Sequence, residues 1–239
     1  MIDYAANKDY FKINGVSCVD KGIWCDTPPV PPLAKQRYTT FQTSADEDRT
    51  TPDESFEDIT YKLTFFTFDN EDYDNREIYE YISAAKRLEI SRLSGLYFKV
   101  RQVSLDSIDT AYRGNRIKYM ATFKLAPFKY SVDTEESVIS SGDFIMNNGT
   151  RYSKPTLEIT WSGECVFDMN GDTFTLTLAA DGETVIADSE RLITYVETSG
   201  VVKHNAVNGW YPMLNTGVNQ LSWTGSVDSV KMRKNERWL

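Results

Sequence analysis

The sequence predicts a mostly β protein with one helix. It reads as two domains, an N-terminal β-sandwich or barrel-like domain over residues 1–130 and a C-terminal β-sandwich over residues 131–239. Three observations carry this. In FEDITYKLTFFTF, Ile59, Tyr61, Leu63 and Phe65 alternate with Thr60, Lys62 and Thr64, the period of two of a strand with one buried face. Ile78, Ile82, Ala85 and Leu88 form the one apolar stripe at helical spacing. Beyond Ser131 no helical period is found, and short strand-like runs recur about every ten residues between Gly, Asn, Asp and Pro turns, as in a sandwich.

In chain order, FKINGVSCVDKGIW reads as two short strands around Asn14-Gly15, a dipeptide that accepts the positive φ angles of a tight hairpin. Pro28, Pro29, Pro31 and Pro32 follow; lacking ladder donors, they make a stiff extended connector. RYTTFQT and FEDITYKLTFFTF flank an acidic segment, which gives an exposed hairpin arm over about residues 38–58 with Asp46, Glu47, Asp48, Arg49 and Pro52 toward its tip. The helix is expected over about residues 74–93, opened by a capping-box-like Asp74 and Glu77 and closed before Gly95. LYFKVRQVSL and RIKYMATFKLAPF then pair through a turn at Gly114-Asn115. In the second domain the runs VISSG, DFIMNNG, PTLEITWS, ECVFDMN, DTFTLTL, RLITYVE and NQLSWTG are the strand candidates. The basic end VKMRKNERWL closes on Trp238-Leu239, apolar residues that suit a docked terminus.

Composition narrows the function. The 26 basic residues against 35 acidic ones leave a net charge of −9, which disfavours a phosphate-gripping surface. No run reaches the roughly 20 apolar residues needed to cross a bilayer, so no membrane insertion is expected. The start MIDYAANKDYFKING has no signal-peptide pattern, which points to synthesis and use in a cytoplasm or release by lysis. Cys18, Cys25 and Cys165 have neither paired metal-ligand spacing nor an even count, and read as buried thiols.

Catalytic chemistry finds little to stand on. His204 is the only histidine, Cys165 lies in a strand-like run, and no serine sits in a G-x-S-x-G elbow. His204 therefore reads as a loop residue, and no catalytic residue is nominated. The acidic groups Asp69, Glu71, Asp72 and Asp74, and Asp46 to Asp48, do not match a calcium loop and read as solvated turns, so neither metal nor cofactor is expected. Trp161 and Trp223 fall within strand-like runs and suit a core, whereas Trp210 and Tyr211 are candidates for stacking on a sugar ring. Asn148-Gly149-Thr150 reads as a turn.

Taken together, INGVSCVDKGIWCDTPPVPP, RYTTFQTSADEDRTT, LSGLYFKVRQV leading to KYMATFKLAPFKYS, MNNGTRYSKPTLEITWSGECVFDMNG and YPMLNTGVNQLSWTGSVDSVKMRKNERWL resemble, in order and spacing, the distal tail protein family of long-tailed bacteriophages and related prophages. The likeness spans essentially the whole chain. It departs in an arm with less glycine than is usual and in the closing NERWL. The resemblance implies a galectin-like second domain and a structural virion protein without enzymatic activity, made in the host bacterial cytoplasm and located at the tail tip. It implies a homo-hexameric ring between the tail tube protein and the tail-tip or tail-associated lysin, receptor-binding and baseplate proteins, with DNA passing through the channel without specific binding. The alternative function, from another class, is a carbohydrate-binding module for host cell-wall polysaccharide.

Overall fold

A computed structural model describes residues 9–42, 48–68, 75–109, 116–177, 183–203 and 207–239. The protein is mostly β with one helix among the described residues, as the sequence predicts. Its strands fall into two compact units, Met1–Val132 with Leu239, and Asp133–Trp238.

In the first unit, β1 (Phe11–Ile13) and β2 (Val16–Ser17) form the expected hairpin. Asn14 and Gly15 turn between them at φ 53° and 87°. After β3 (Trp24–Cys25), residues 28–35 run without regular structure through the prolines. β4 (Gln36–Gln42) and β5 (Asp48–Phe56) make a two-stranded sheet of their own. Then come β6 (Ile59–Phe68), α1 (Asn75–Ser83), β7 (Arg87–Ile90), β8 (Leu96–Asp109) and β9 (Arg116–Ser131). Antiparallel pairing orders the main sheet β2-β1-β7-β8-β9-β6-β3.

Alternation decides which face is inside. Ile59, Leu63 and Phe65 of β6 are buried, as are Ile117, Tyr119, Ala121, Phe123 and Leu125 of β9, while Thr60 and Lys62 stay exposed. Phe65 stacks on Tyr119 with ring centroids 5.4 Å apart, and Ile78 and Ile82 bring α1 onto the same core.

The helix is shorter than the sequence predicts, ending at Ser83 rather than near residue 93. Asn14 explains the stop. Its Nδ2 donates to the carbonyl of Ala84 at 2.8 Å, and its Oδ1 accepts from the amides of Lys86 and Arg87 at 2.9 and 3.0 Å. The chain is thereby turned into β7, where Leu88 and Ile90 are buried opposite Ile13 and Phe11. Leu88, three residues past Ala85, extends the helical stripe by coincidence while belonging to a period-two strand. Gly95 does take a positive φ of 75°, but in the turn into β8 and not at a helix end.

The second unit contains β10 (Glu136–Ile139), β11 (Asp143–Asn147), β12 (Thr156–Met169), β13 (Asp172–Leu176), β14 (Thr184–Asp188), β15 (Ile193–Val196), β16 (Val207–Gly209), β17 (Gly217–Arg233) and β18 (Arg237–Trp238). The long strands β12 and β17 organise it. Each changes neighbours midway, where their mutual register breaks, as a strand does when it bends from one side of a core to the other. The first half of β12 pairs with β14 and the last with β13; β17 pairs with β11 through residues 217–221 and with β10 through residues 230–233.

At the bend the register slips, leaving residues 163–165 opposite Gly225 alone. Gly225 has φ 98°, and a Cβ there would lie 2.4 Å from the carbonyl oxygen of Glu164, so only glycine fits. Trp161, fully buried beneath this corner, donates its Nε1–H to the Gly163 carbonyl at 3.1 Å. Leu157, Ile159, Val185, Val230 and Met232 meet Phe167, Phe174, Leu176 and Leu221 from the other leaf in one core.

Buried asparagines hold the loops. Asn147, 2% exposed, donates to the carbonyls of Arg151, Leu214 and Asn215. Asn219, 1% exposed, donates to those of Asn215 and Gly217 and accepts from the amide of Asn215. The basic end is docked, with Arg237 buried and its guanidinium donating to the carbonyl of Tyr152 at 2.8 and 2.6 Å.

Candidate functional site

Two features stand outside the cores: the β4–β5 ribbon in the first unit and an aromatic hollow in the second. The ribbon pairs Gln42 with Asp48, Phe41 with Arg49, Thr39 with Thr51 and Tyr38 with Pro52. Asp46 and Glu47 lie outside the described residues. Pro52 brings no amide hydrogen to the ladder, and the register shifts beside it. The resulting bulge is closed locally, where Asp53 accepts from the amide and hydroxyl of Ser55 and Gln36 Nε2 donates to the Asp53 carbonyl at 2.8 Å.

At its base the ribbon is anchored by the Glu57 amide on the Lys35 carbonyl at 2.9 Å and by the Phe56 ring edge-on to Phe128 at 5.6 Å. Tyr38 is 61% exposed. With no third strand in this sheet among the described residues, each strand has an outer edge of backbone donors and acceptors that another strand can meet.

The hollow in the second unit has a volume of about 290 Å³ and gathers residues from four segments of the chain. Gly209 at the end of β16 has φ 103° and passes so close to β13 that a Cβ would lie 2.4 Å from the Thr173 carbonyl oxygen. The next amide, Trp210, donates to that same oxygen at 3.1 Å, which directs the chain outward. Trp210 is 78% exposed. Tyr211 behaves differently from the sequence expectation that paired it with Trp210. It packs on Phe174 at 5.4 Å and its hydroxyl bonds Thr194 at 3.1 Å, so it supports the wall and is not a free platform. Trp161 and Trp223 serve the core, the latter against Phe167 at 5.7 Å.

His204 and the acidic run from Asp69 to Asp74 lie outside the described residues. Cys18, Cys25 and Cys165 are free and buried. Cys165 donates to the Ser226 carbonyl at 3.6 Å, and burial pushes its thiol up. Cys18 is drawn down by a hydrogen bond from Cys25, whose thiol is pushed up in return. Among the described residues no cluster of His, Cys, Asp and Glu can hold a metal ion, and no helix is long and apolar enough to cross a membrane.

This architecture, two antiparallel β units with one small α-helix among the described residues, a detached ribbon and two long strands that change partners in the second unit, matches the fold of a solved phage hub protein. The crystal structure of the Dit protein of phage SPP1, a paradigm of the hub adsorption apparatus in phages infecting Gram-positive hosts, superposes with a TM-score of 0.67 over 97% of this chain and 99% of that one, at 13% identity. The fold is thus shared over nearly the full length of both proteins. No protein-family model and no curated protein sequence matches the chain.

Proposed function

We propose that the protein is a structural subunit of a bacteriophage or prophage tail, forming a homo-hexameric ring at the distal end of the tail tube. The ring joins the tube to the tail-tip, baseplate and receptor-binding proteins. The observation that carries this reading is the end-to-end sharing of fold with a phage hub protein. Ring closure gives the ribbon its purpose. A heterologous contact repeated around a closed ring supplies one partner for each exposed edge and leaves none free to aggregate. First units, around residues 1–130, build the ring; second units, around residues 131–239 and galectin-like in the family pattern, project as attachment points. Arg49 and Pro52, with the neighbouring Asp46, Glu47 and Asp48, form the inter-subunit arm. DNA passes through the channel unheld, as the net charge of −9 favours.

The purified chain, analysed by light scattering and negative-stain electron microscopy, should give six-fold annuli with six times the mass of the 27.3 kDa chain. Replacing residues 40–50 by a two-residue Asn-Gly turn should abolish the annuli while the far-UV circular dichroism keeps its β signature. A chain that stays monomeric at every concentration, or that assembles equally well without the ribbon tip, refutes the reading.

A further inference from the structure

The hollow beside Trp210 has the composition of a ligand site, and we infer that it binds a pyranose ring. This site is separate from the ribbon, so it stands or falls independently of the ring proposed above. Its wall is apolar and unusually open to solvent. Trp210 is 78% exposed, Leu192 60% and Met213 45%, a concentration that a surface with no partner has little reason to keep.

The backbone is held to present these groups. Leu192 sits at φ 56°, a left-handed conformation that costs a branched aliphatic residue about 1–2 kcal/mol and that survives only where surrounding bonds dictate it. Those bonds are supplied by Asp188, whose Oδ1 accepts from the amides of Glu190 and Arg191 at 2.9 and 3.0 Å, and by the Ser189 amide on the Pro155 carbonyl at 3.2 Å. Gly209, packed against Thr173, and the Trp210 amide bond to the Thr173 carbonyl fix the backbone at Trp210.

The polar complement decides the ligand class. Ser189 lines the hollow at 1% exposure, and its hydroxyl has no hydrogen-bond partner among the described residues. A buried hydroxyl left unpaired is costly, and because the Ser189 oxygen is sealed from solvent, a ligand oxygen in the hollow satisfies it when the side chain turns toward the hollow. Asp172 and Lys154 add a carboxylate that accepts and an ammonium that donates. One apolar face with acceptor, donor and hydroxyl gathered beside it is the complement of a pyranose, whose C–H face stacks on an indole while its rim hydroxyls donate and accept. An aliphatic side chain from a protein partner would cover Trp210 but leave Ser189 unsatisfied. At about 290 Å³ the volume is at the small end of ligand pockets, suited to one sugar residue of a longer polysaccharide.

The test is titration of the full-length, isotope-labelled protein with the methyl pyranosides of glucose, galactose, rhamnose, N-acetylglucosamine and N-acetylgalactosamine. The Trp210 indole N–H is followed by NMR up to roughly 50 mM, well above a millimolar dissociation constant. At least one pyranoside should shift that resonance saturably, Trp210→Ala should abolish the binding, and Ser189→Ala should weaken it about fivefold or more. Ser189→Ala removes a hydroxyl with no partner, so its melting temperature should be equal to or above that of the parent, which separates lost recognition from lost folding. Three results overturn the inference: no saturable shift with any pyranoside, binding indifferent to Ser189→Ala, or a Trp210 shift that follows protein concentration without sugar, the mark of a protein partner in the hollow.

Discussion

Gly225→Ala tests the strand corner that organises the second unit. Two costs add there. A φ of 98° lies in territory an L-residue occupies at about 1–3 kcal/mol. The new Cβ also meets the Glu164 carbonyl oxygen at 2.4 Å, a backbone atom that cannot rotate away, and forcing a packed strand to shift costs about 1–3 kcal/mol more. The expected loss is about 2–6 kcal/mol. Gly163, in the same corner at φ 74°, would have nothing within 4 Å of an added methyl, so Gly163→Ala should carry only the conformational part, about 1–2 kcal/mol. Urea unfolding followed by tryptophan emission measures both, because Trp161 and Trp223 lie in this unit. At about 2–4 °C per kcal/mol for a chain of this size, the two variants should melt roughly 5–10 °C apart. Equal losses would show that the close approach at Glu164 plays no part in holding the bend.

Asn14 invites a similar pair. Asn14→Ala loses both its left-handed tolerance and its bonds to Ala84, Lys86 and Arg87, and should destabilise by about 2–3 kcal/mol in urea unfolding, whereas Asn14→Gly keeps the turn and should lose about 1–2 kcal/mol. An Asn14→Gly variant no better than Asn14→Ala would mean the turn angle is irrelevant. The thiols make the third prediction. Cys25 is pushed up by its bond to Cys18 and by burial, and Cys165 by burial, which depletes their thiolates near neutral pH, while Cys18, drawn down, is sealed in the core. A disulfide reagent at pH 8 should therefore titrate none of the three rapidly until denaturant is added; a fast-reacting native thiol would contradict that burial.

The sequence disclosed most where a local pattern and its tertiary use agree. Alternation along β6, the Asn14-Gly15 hairpin and the proline connector were all legible, because each depends on near neighbours. The length of α1 was not. Ala85 and Leu88 fit a helical stripe, and only Asn14, some 70 residues earlier, redirects that stretch into β7. Likewise PTLEITWS and ECVFDMN read as separate strands, although Thr156–Met169 is one strand bent around the Gly225 contact. For the hollow, the Trp210-Tyr211 pair was visible, but its division of labour was not. Phe174 and Thr194 claim Tyr211, while Ser189 and Leu192 reach the site through a loop that Asp188 shapes, and no short-range pattern joins those positions.

The two bent strands also govern how the second unit bears load. Because β12 and β17 are hydrogen-bonded to each other on both sides of the corner, neither leaf can peel away while the other stays whole. A pull that separates the two strands must break the bonds on both sides of the corner, so the unit should yield in a single event instead of unravelling by stages.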